Sequence, residues 1–380
     1  MRKILSLTLA LVLVLGCVSF AAAEDKPTVT VWTTGSQNVG DLFTALIDTY
    51  NAKEDSKYTI KQQFILTGTG DEGLSSRVSA AYQSGQTNTD FDVYVDNSSS
   101  FQSLIDDCGS DEILRDIDFS QVKGYENVTV TPAASYAAKI VPYRCTTVVF
   151  AYDSARIPEN ELPHTWDELA AWIQAHPGRF AYNEPDTGGA GSSFVNSAVY
   201  RLIDDKSAMT SNDVKWTESY GPGIEWLQSI HPYLYQSGGS VLYPNKNQGT
   251  LDLLINQEVD MIPAWADQVL TNVENGTLPA TTCMYQLDDF ALTGSDVSFA
   301  LPSIGSNIEG AYDFISFVIS PEGQKICLEQ MKAIPVISAD LIDSDKKDLV
   351  SSLGSYNYIS TGTLWSDHLY PTWMENILAL

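Results

Sequence analysis

An α/β fold made of two units, each a mostly parallel sheet covered by helices, is the architecture this sequence predicts. Three observations carry it. Strand-like and helix-like patterns alternate from Thr28 onward. A second alternating series starts near Val148. The length of 380 residues suits two domains at roughly 150 residues each. An apolar share of 44% supports a real core and not a disordered chain.

The first unit opens with Thr28-Val29-Thr30-Val31-Trp32, an alternating strand pattern stopped by Thr33-Thr34-Gly35-Ser36. Leu42, Phe43, Leu46, Ile47 and Tyr50 then repeat at helical spacing. A strand from Tyr58 to Leu66 and a helix from about Asp71 to Gln83 follow. Phe91 to Val95 is a third strand, stopped by Asp96-Asn97-Ser98-Ser99, before a helix near Phe101 to Ile105.

The second unit starts with the strand Val148 to Tyr152. Thr165-Trp166-Asp167-Glu168 is a capping box, and His176-Pro177-Gly178 ends the helix it starts. Arg179 to Tyr182 reads as a strand that leads into a glycine-rich loop. Ser193 to Leu202 and Leu251 to Ile255 read as helices. Between the latter and the chain's end come a strand, Val259 to Ile262, and a loop, Pro263 to Asp267. Ser306-Asn307-Ile308-Glu309 forms a second capping box, and Ser320-Pro321-Glu322 a third helix start. The sequence shows no internal repeat.

Composition excludes some functions. Lys plus Arg is 21 and Asp plus Glu is 48, a net charge of −27. That excess disfavours nucleic acid and anionic membrane surfaces, which both require cations. Arg2 and Lys3 precede an apolar run from Ile4 to Leu15, the form of an export signal. Cleavage after Ala23 removes two cations and no anions, taking the charge to −29. A rival cut at Leu15-Gly16-Cys17 makes Cys17 a lipid anchor. The expected location is periplasmic or extracellular. Cys108, Cys145, Cys283 and Cys327 remain, as a disulfide framework or as buried thiols.

In open α/β sheets ligands bind beyond the carboxyl ends of strands. Four segments here follow strands: 33–38, 96–100, 184–193 and 263–267. If two lobes face each other, these segments line one cleft. The candidate ligand-binding residues are Thr34, Gly35, Ser36, Asn97, Ser98, Arg144, Gly189, Gly191, Ser192, Ser193, Trp265 and Asp267. The Gly188–Ser193 segment is the sharpest, since glycines admit close backbone approach and the helix start presents free N–H groups. Its alternative is a turn with a serine cap. Trp265 stacks on a ligand or packs in the core. Asp267 holds a cation or caps a helix, and Arg144 clamps an anion or braces a hinge. No GxSxG or HExxH motif is present, and the four histidines lack metal-ligand spacing. No catalytic residue, metal or cofactor is expected.

Four segments together resemble the extracellular solute-binding proteins of bacterial ABC importers, the family that includes iron, thiamine, polyamine and maltose receptors. They are Val148–Asp153 with Pro163–Leu169, Asn256–Met261, Ser298–Pro302, and Glu309–Phe314 with Ser320–Gln324. Gln257 stands where the family has glycine. The run from Ala175 to Phe180 resembles an importer subfamily of unsettled ligand. The resemblance implies a two-lobed, type II periplasmic-binding fold, with a ligand cleft between the lobes. Lobe 1 would hold 24–143 plus about 296–334, and lobe 2 would hold 144–295 plus about 335–380, after a signal peptide at 1–23. It further implies a monomeric receptor that captures a small solute and delivers it to a membrane permease, without catalysis. Polyamines, thiamine-like or other small organic compounds fit the acids, aromatics and helix start. Metal fits less well, because Tyr233 and Tyr235 are not adjacent. A sensor or chemotaxis module is the alternative, and a secreted hydrolase a more distant one.

Overall fold

Ile140–Asp153 is rich in β-branched and aromatic residues, which favour an extended and packed backbone. In the computed structural model, which describes residues 26–67, 73–132, 136–346, 361–362 and 364–380, all 14 of these residues are buried. The signal segment, Cys17 and the tail residues 347–360 lie outside the described residues. At roughly 3.3 Å per residue this strand spans about 46 Å, long enough to serve two sheets.

The elements before it are β1 (Thr28–Gly35), α1 (Gln37–Asn51), β2 (Thr59–Leu66), α2 (Leu74–Gln83), β3 (Val93–Asn97) and α3 (Ser98–Cys108). The long strand is β4. It is followed by α4 (Trp166–Ala175), α5 (Gly189–Tyr200), α6 (Gly221–Ile230) and a small hairpin of β5 (Gln236–Ser237) and β6 (Ser240–Val241). Then come α7 (Lys246–Ile255), β7 (Met261–Trp265), α8 (Ala266–Glu274), β8 (Thr282–Tyr285) and β9 (Gly294–Ala300). The last elements used here are α9 (Ile308–Ile319), α10 (Pro321–Met331) and β10 (Ile334–Pro335).

β1 pairs in parallel with β2 and β3, and β3 pairs antiparallel with β9. The first part of β4, Ile140 to Thr147, pairs with β9, whereas Val148 to Asp153 pairs with β7 and β8. Two core groups result. Val29, Phe43, Val95, Tyr143, Phe299 and Phe314 fill one face of the first sheet, and Leu74, Tyr94, Phe101 and Ile140 the other. Phe150, Trp166, Phe194, Leu227 and Trp373 fill the second group. Phe150 meets Phe194 edge-on, with centroids 6.3 Å apart, a favoured aromatic geometry. Burying one such ring contributes about 1.5–3 kcal/mol.

The tail divides at two points. Val336, Ile337 and Ile342 pack on Leu328 and Val128, beside the first core group. Residues Leu369, Trp373 and Ile377 join the second group.

Several expected elements differ. Pro263–Asp267 is not a loop: β7 runs through Trp265 and α8 begins at once, because Met261–Trp265 pairs with Tyr152–Val148. Arg179–Tyr182 makes only one bridge, Phe180 to Met261, and otherwise spends its carbonyls on Tyr235 and Asp260. Ser306 does not cap α9. Its hydroxyl instead donates to Thr89 O at 3.0 Å and to Asp92 Oδ1 at 3.2 Å, while Asp92 Oδ1 also accepts from the Ser306 and Asn307 amides just before the helix at 2.9 and 2.8 Å. Thr165 does cap α4, accepting from Glu168 N at 3.2 Å, although Glu168 reaches back to His164 N. Ser320 caps α10 as expected. Gln257 sits at φ +59°, in the left-handed region, which explains why glycine suits that turn. Cys108, Cys145, Cys283 and Cys327 form no disulfide among the described residues.

Candidate functional site

One cavity of about 610 Å³ lies where the two core groups face each other. Five helices begin at its wall. Ser36–Val39 opens α1, Asn97 caps α3, and Gly188–Gly189 opens α5. Lys246–Gln248 opens α7, and Asp267 lies in the first turn of α8. Three of these starts follow from the topology: β1, β3 and β7 end at the cleft and hand the chain directly to α1, α3 and α8, and with α5 and α7 they gather N–H groups and positive dipole ends around one space.

Arg144, on β4, forms part of the floor. It is 6% exposed, and its Nε donates to Tyr143 Oη at 3.1 Å. Its Nη1 is buried without a partner, and among the described residues no carboxylate stands within ion-pair distance. Burial opposes its charge, but Tyr143 and the field of Asp267 outweigh burial.

Two carboxylates border the cavity, and both are engaged. Asp267 accepts from Asn38 Nδ2 at 2.9 Å and from Thr146 Oγ1 at 3.1 Å. The Asn38 bond joins two residues of the cavity wall, tying α1 to α8. Asp96 Oδ1 accepts from Asn97 N at 2.8 Å, and its Oδ2 from Tyr94 Oη at 3.3 Å. Burial pushes the Asp96 carboxyl up to about 6, against the pull of these hydrogen bonds and Arg144. Burial likewise raises Asp267.

Of the sequence-predicted residues, Thr34, Gly35, Ser36, Asn97, Arg144, Gly189, Trp265 and Asp267 line this cavity. The Ser98 side chain lies outside the described residues. Gly191, Ser192 and Ser193 do not line it. A Cβ on Gly191 would stand 2.0 Å from Asn183 O, so this glycine permits packing, not ligand approach. Ser192 Oγ donates to Gly189 O at 3.1 Å, and Ser193 Oγ accepts from Thr293 N at 2.8 Å. The Ala190 amide is taken by Asn247 Oδ1 at 3.0 Å. Gly189 has a different use: a Cβ there would meet Trp265 Cζ2 at 2.7 Å, so its absence lets the indole lie across the start of α5.

Gln37 and Asn38 fall in the expected segment 33–38, but sequence reasoning missed Lys246, Asn247, Gln248, Gln268, Thr271 and Asn272, all of which line the cavity. The signal was available on α8. Asp267, Gln268, Thr271 and Asn272 recur at i, i+1, i+4 and i+5, a polar stripe on one helix face. Gln268 Oε1 and Thr271 Oγ1 are buried without partners.

A family model described as bacterial extracellular solute-binding protein matches residues 45–347. No curated protein matches the chain by sequence. Many solved structures share its fold, three of them as follows. An ABC transporter protein of Clostridium perfringens is 13% identical, with a TM-score of 0.63 and coverage of 92% of this chain and 99% of that one. The spermidine/putrescine ABC transporter substrate-binding protein PotD of Streptococcus pneumoniae is 13% identical, with a TM-score of 0.67 and coverage of 93% and 99%. A ferric binding protein of Campylobacter jejuni is 11% identical, with a TM-score of 0.61 and coverage of 92% and 96%. At these identities the likeness is one of fold.

Proposed function

This chain belongs to the family of bacterial extracellular solute-binding proteins, and we propose that it captures a small polar solute in the cavity, closes its two lobes on it and delivers it to the permease of an ABC importer. The observation that carries the reading is the cavity itself: helix starts from both core groups meet there, and the Asn38–Asp267 bond crosses between them. A second tie supports it at the far end of α8, where Glu274 pairs with both Lys332 and Lys346. Because α8 touches the first group at both ends, a solute that bridges the walls adds to contacts already arranged for the closed shape. Such a solute shifts the population toward closure by its differential affinity for that state.

The lobes in this reading are 24–143 plus about 296–334 and 144–295 plus about 335–380, with β4 and β9 as the crossing strands and with Val336, Ile337 and Ile342 remaining beside the first lobe. Capture and release involve no chemical step, so the protein acts as a receptor and not as an enzyme. A monomer with one solute per chain follows. Tyr235 donates to Glu258, and neither Tyr233 nor Tyr235 lines the cavity, which favours an organic solute over a metal ion. We also propose export with cleavage after Ala23; the intact mass of the mature protein distinguishes this from lipidation at Cys17.

The test is to purify the exported protein, identify any co-purified solute by mass spectrometry, and add it back to solute-free protein. It is expected to raise the melting temperature and shrink the radius of gyration measured by X-ray scattering. At a hundredfold excess over Kd the stabilisation is about 2.7 kcal/mol. Unchanged scattering at saturation would overturn closure.

A further inference from the structure

Resting on the reading of this cavity as a solute site, we infer that the solute is an organic oxyanion that also carries a hydrogen-bond donor, with Arg144 taking the anionic group and Gln268 and Thr271 the donor. What the cavity lacks is what its ligand must supply. Its two acids, Asp96 and Asp267, already accept hydrogen bonds on both oxygens. Its two cations are in the opposite condition. Arg144 is 6% exposed, lies on the floor and leaves Nη1 without a partner, a state that costs free energy until an acceptor arrives. Lys246, on the wall, forms no ion pair among the described residues.

The five helix starts act in the same sense. Each carries a partial positive charge of roughly half a unit within its first turn, and α1, α3, α5, α7 and α8 all bring that end to this space. A cationic solute would share Asp267 with Asn38 and Thr146 and sit beside the unpaired charge of Arg144. An oxyanion meets an unused guanidinium nitrogen in a low-dielectric setting, where charge-assisted bonds are strongest. The second requirement comes from α8. Gln268 is 8% exposed, and its Oε1 and the Thr271 hydroxyl are buried and unpartnered, so a hydroxyl or amino group on the solute completes them.

The experiment titrates the full-length mature protein, freed of co-purified solute, with malate, citrate, glycerol 3-phosphate, spermidine and maltose, by calorimetry and thermal shift. At least one oxyanion is expected to bind while spermidine and maltose do not. Malate or citrate alone assigns a carboxylate, and glycerol 3-phosphate alone a phosphate. Gln268→Glu, close in size to the original, adds a negative charge to the cavity that must hold an anion and is expected to weaken binding of these hydroxyl-bearing oxyanions at least about tenfold. Arg144→Lys is expected to do the same by losing the planar donor. Should Arg144→Lys fail to fold, Gln268→Glu carries the test. Unchanged or tighter oxyanion binding by Gln268→Glu would overturn the assignment. Binding and compaction with spermidine or maltose alone would also overturn it, yet leave solute capture standing. No compaction with any probe or with the co-purified solute would overturn capture itself.

Discussion

Helices α5 and α8 both begin at the cavity wall, and they begin in opposite ways. The start of α5 is glycine- and serine-rich, yet it is closed: Asn247 takes the Ala190 amide, Ser192 turns back on Gly189, and Gly191 packs against the Asn183 backbone. The start of α8 contains no glycine. It nonetheless presents a polar stripe in which Asp267 reaches across to Asn38 while Gln268 and Thr271 keep unused atoms. Small residues at a helix start therefore mark close approach of backbone, whatever does the approaching. In α5 the protein's own loop does so. Polar residues that remain unsatisfied after folding are the better sign of a ligand, because a buried polar atom without a partner is costly.

The comparison breaks most readily at Gly191. Gly191→Val should cost about 3 kcal/mol or more, since a Cβ 2.0 Å from a backbone oxygen forces the chain to move. Urea unfolding measures the loss, and affinity per folded molecule should stay near wild type. Full stability with lost affinity would return the site to α5.

Next in size is the α8 tie. Asn38→Ala leaves Asp267 Oδ2 buried without its partner and should cost about 1–3 kcal/mol. The variant should also show a larger radius of gyration without solute. A thermal melt that matches wild type, with unchanged scattering, would reduce the tie to a passive contact.

The pH response comes third. Burial holds the Asp96 carboxyl at about 6, above its ordinary 3.8. Between those values the folded state binds more protons than the unfolded one, so stability falls as pH rises through the window. Asp267, raised by the same cause, adds in the same sense. Asp96→Asn should flatten the fall by about 1–2 kcal/mol, after allowance for water in the cavity. Melting temperatures at pH 4.5 and 7 in the two proteins decide the matter; parallel slopes would remove Asp96 as the cause.

The smallest effect belongs to Ser192. Its hydroxyl bonds only within the first turn of α5, so Ser192→Ala should change stability by less than about 1 kcal/mol and leave affinity alone. Calorimetric titration of this variant beside Gln268→Glu gives the comparison its sharpest form. A larger loss from the serine would reverse it.

Much of the architecture was legible because it is local. The periodicity of Leu42 to Tyr50, the Thr165 cap and the Ser320-Pro321 start each express contacts within a few residues, and each forms where expected. All four expected wall segments, 33–38, 96–100, 184–193 and 263–267, also contribute residues to the cavity, the third only through Thr187, Gly188 and Gly189. The misread places involve partners far along the chain. Ser306 has the sequence of a cap, yet its hydroxyl turns to Thr89 and Asp92, more than 200 residues earlier. Pro263–Asp267 reads as a loop until β4 pairs with it.

Sequence alone determined the α/β alternation, the two-unit organisation and the helix boundaries with their own caps, because these rest on side-chain period and near-neighbour hydrogen bonds. Only the tertiary structure decided which helix starts remain open to a ligand. That depends on whether Asn183, Asn247 or Asn38 reaches a given amide or carboxylate first, and a hydrogen bond between distant segments leaves no periodic trace in either. It also decided that Arg144 keeps an unused nitrogen, since the satisfaction of a buried group is set by what folds around it.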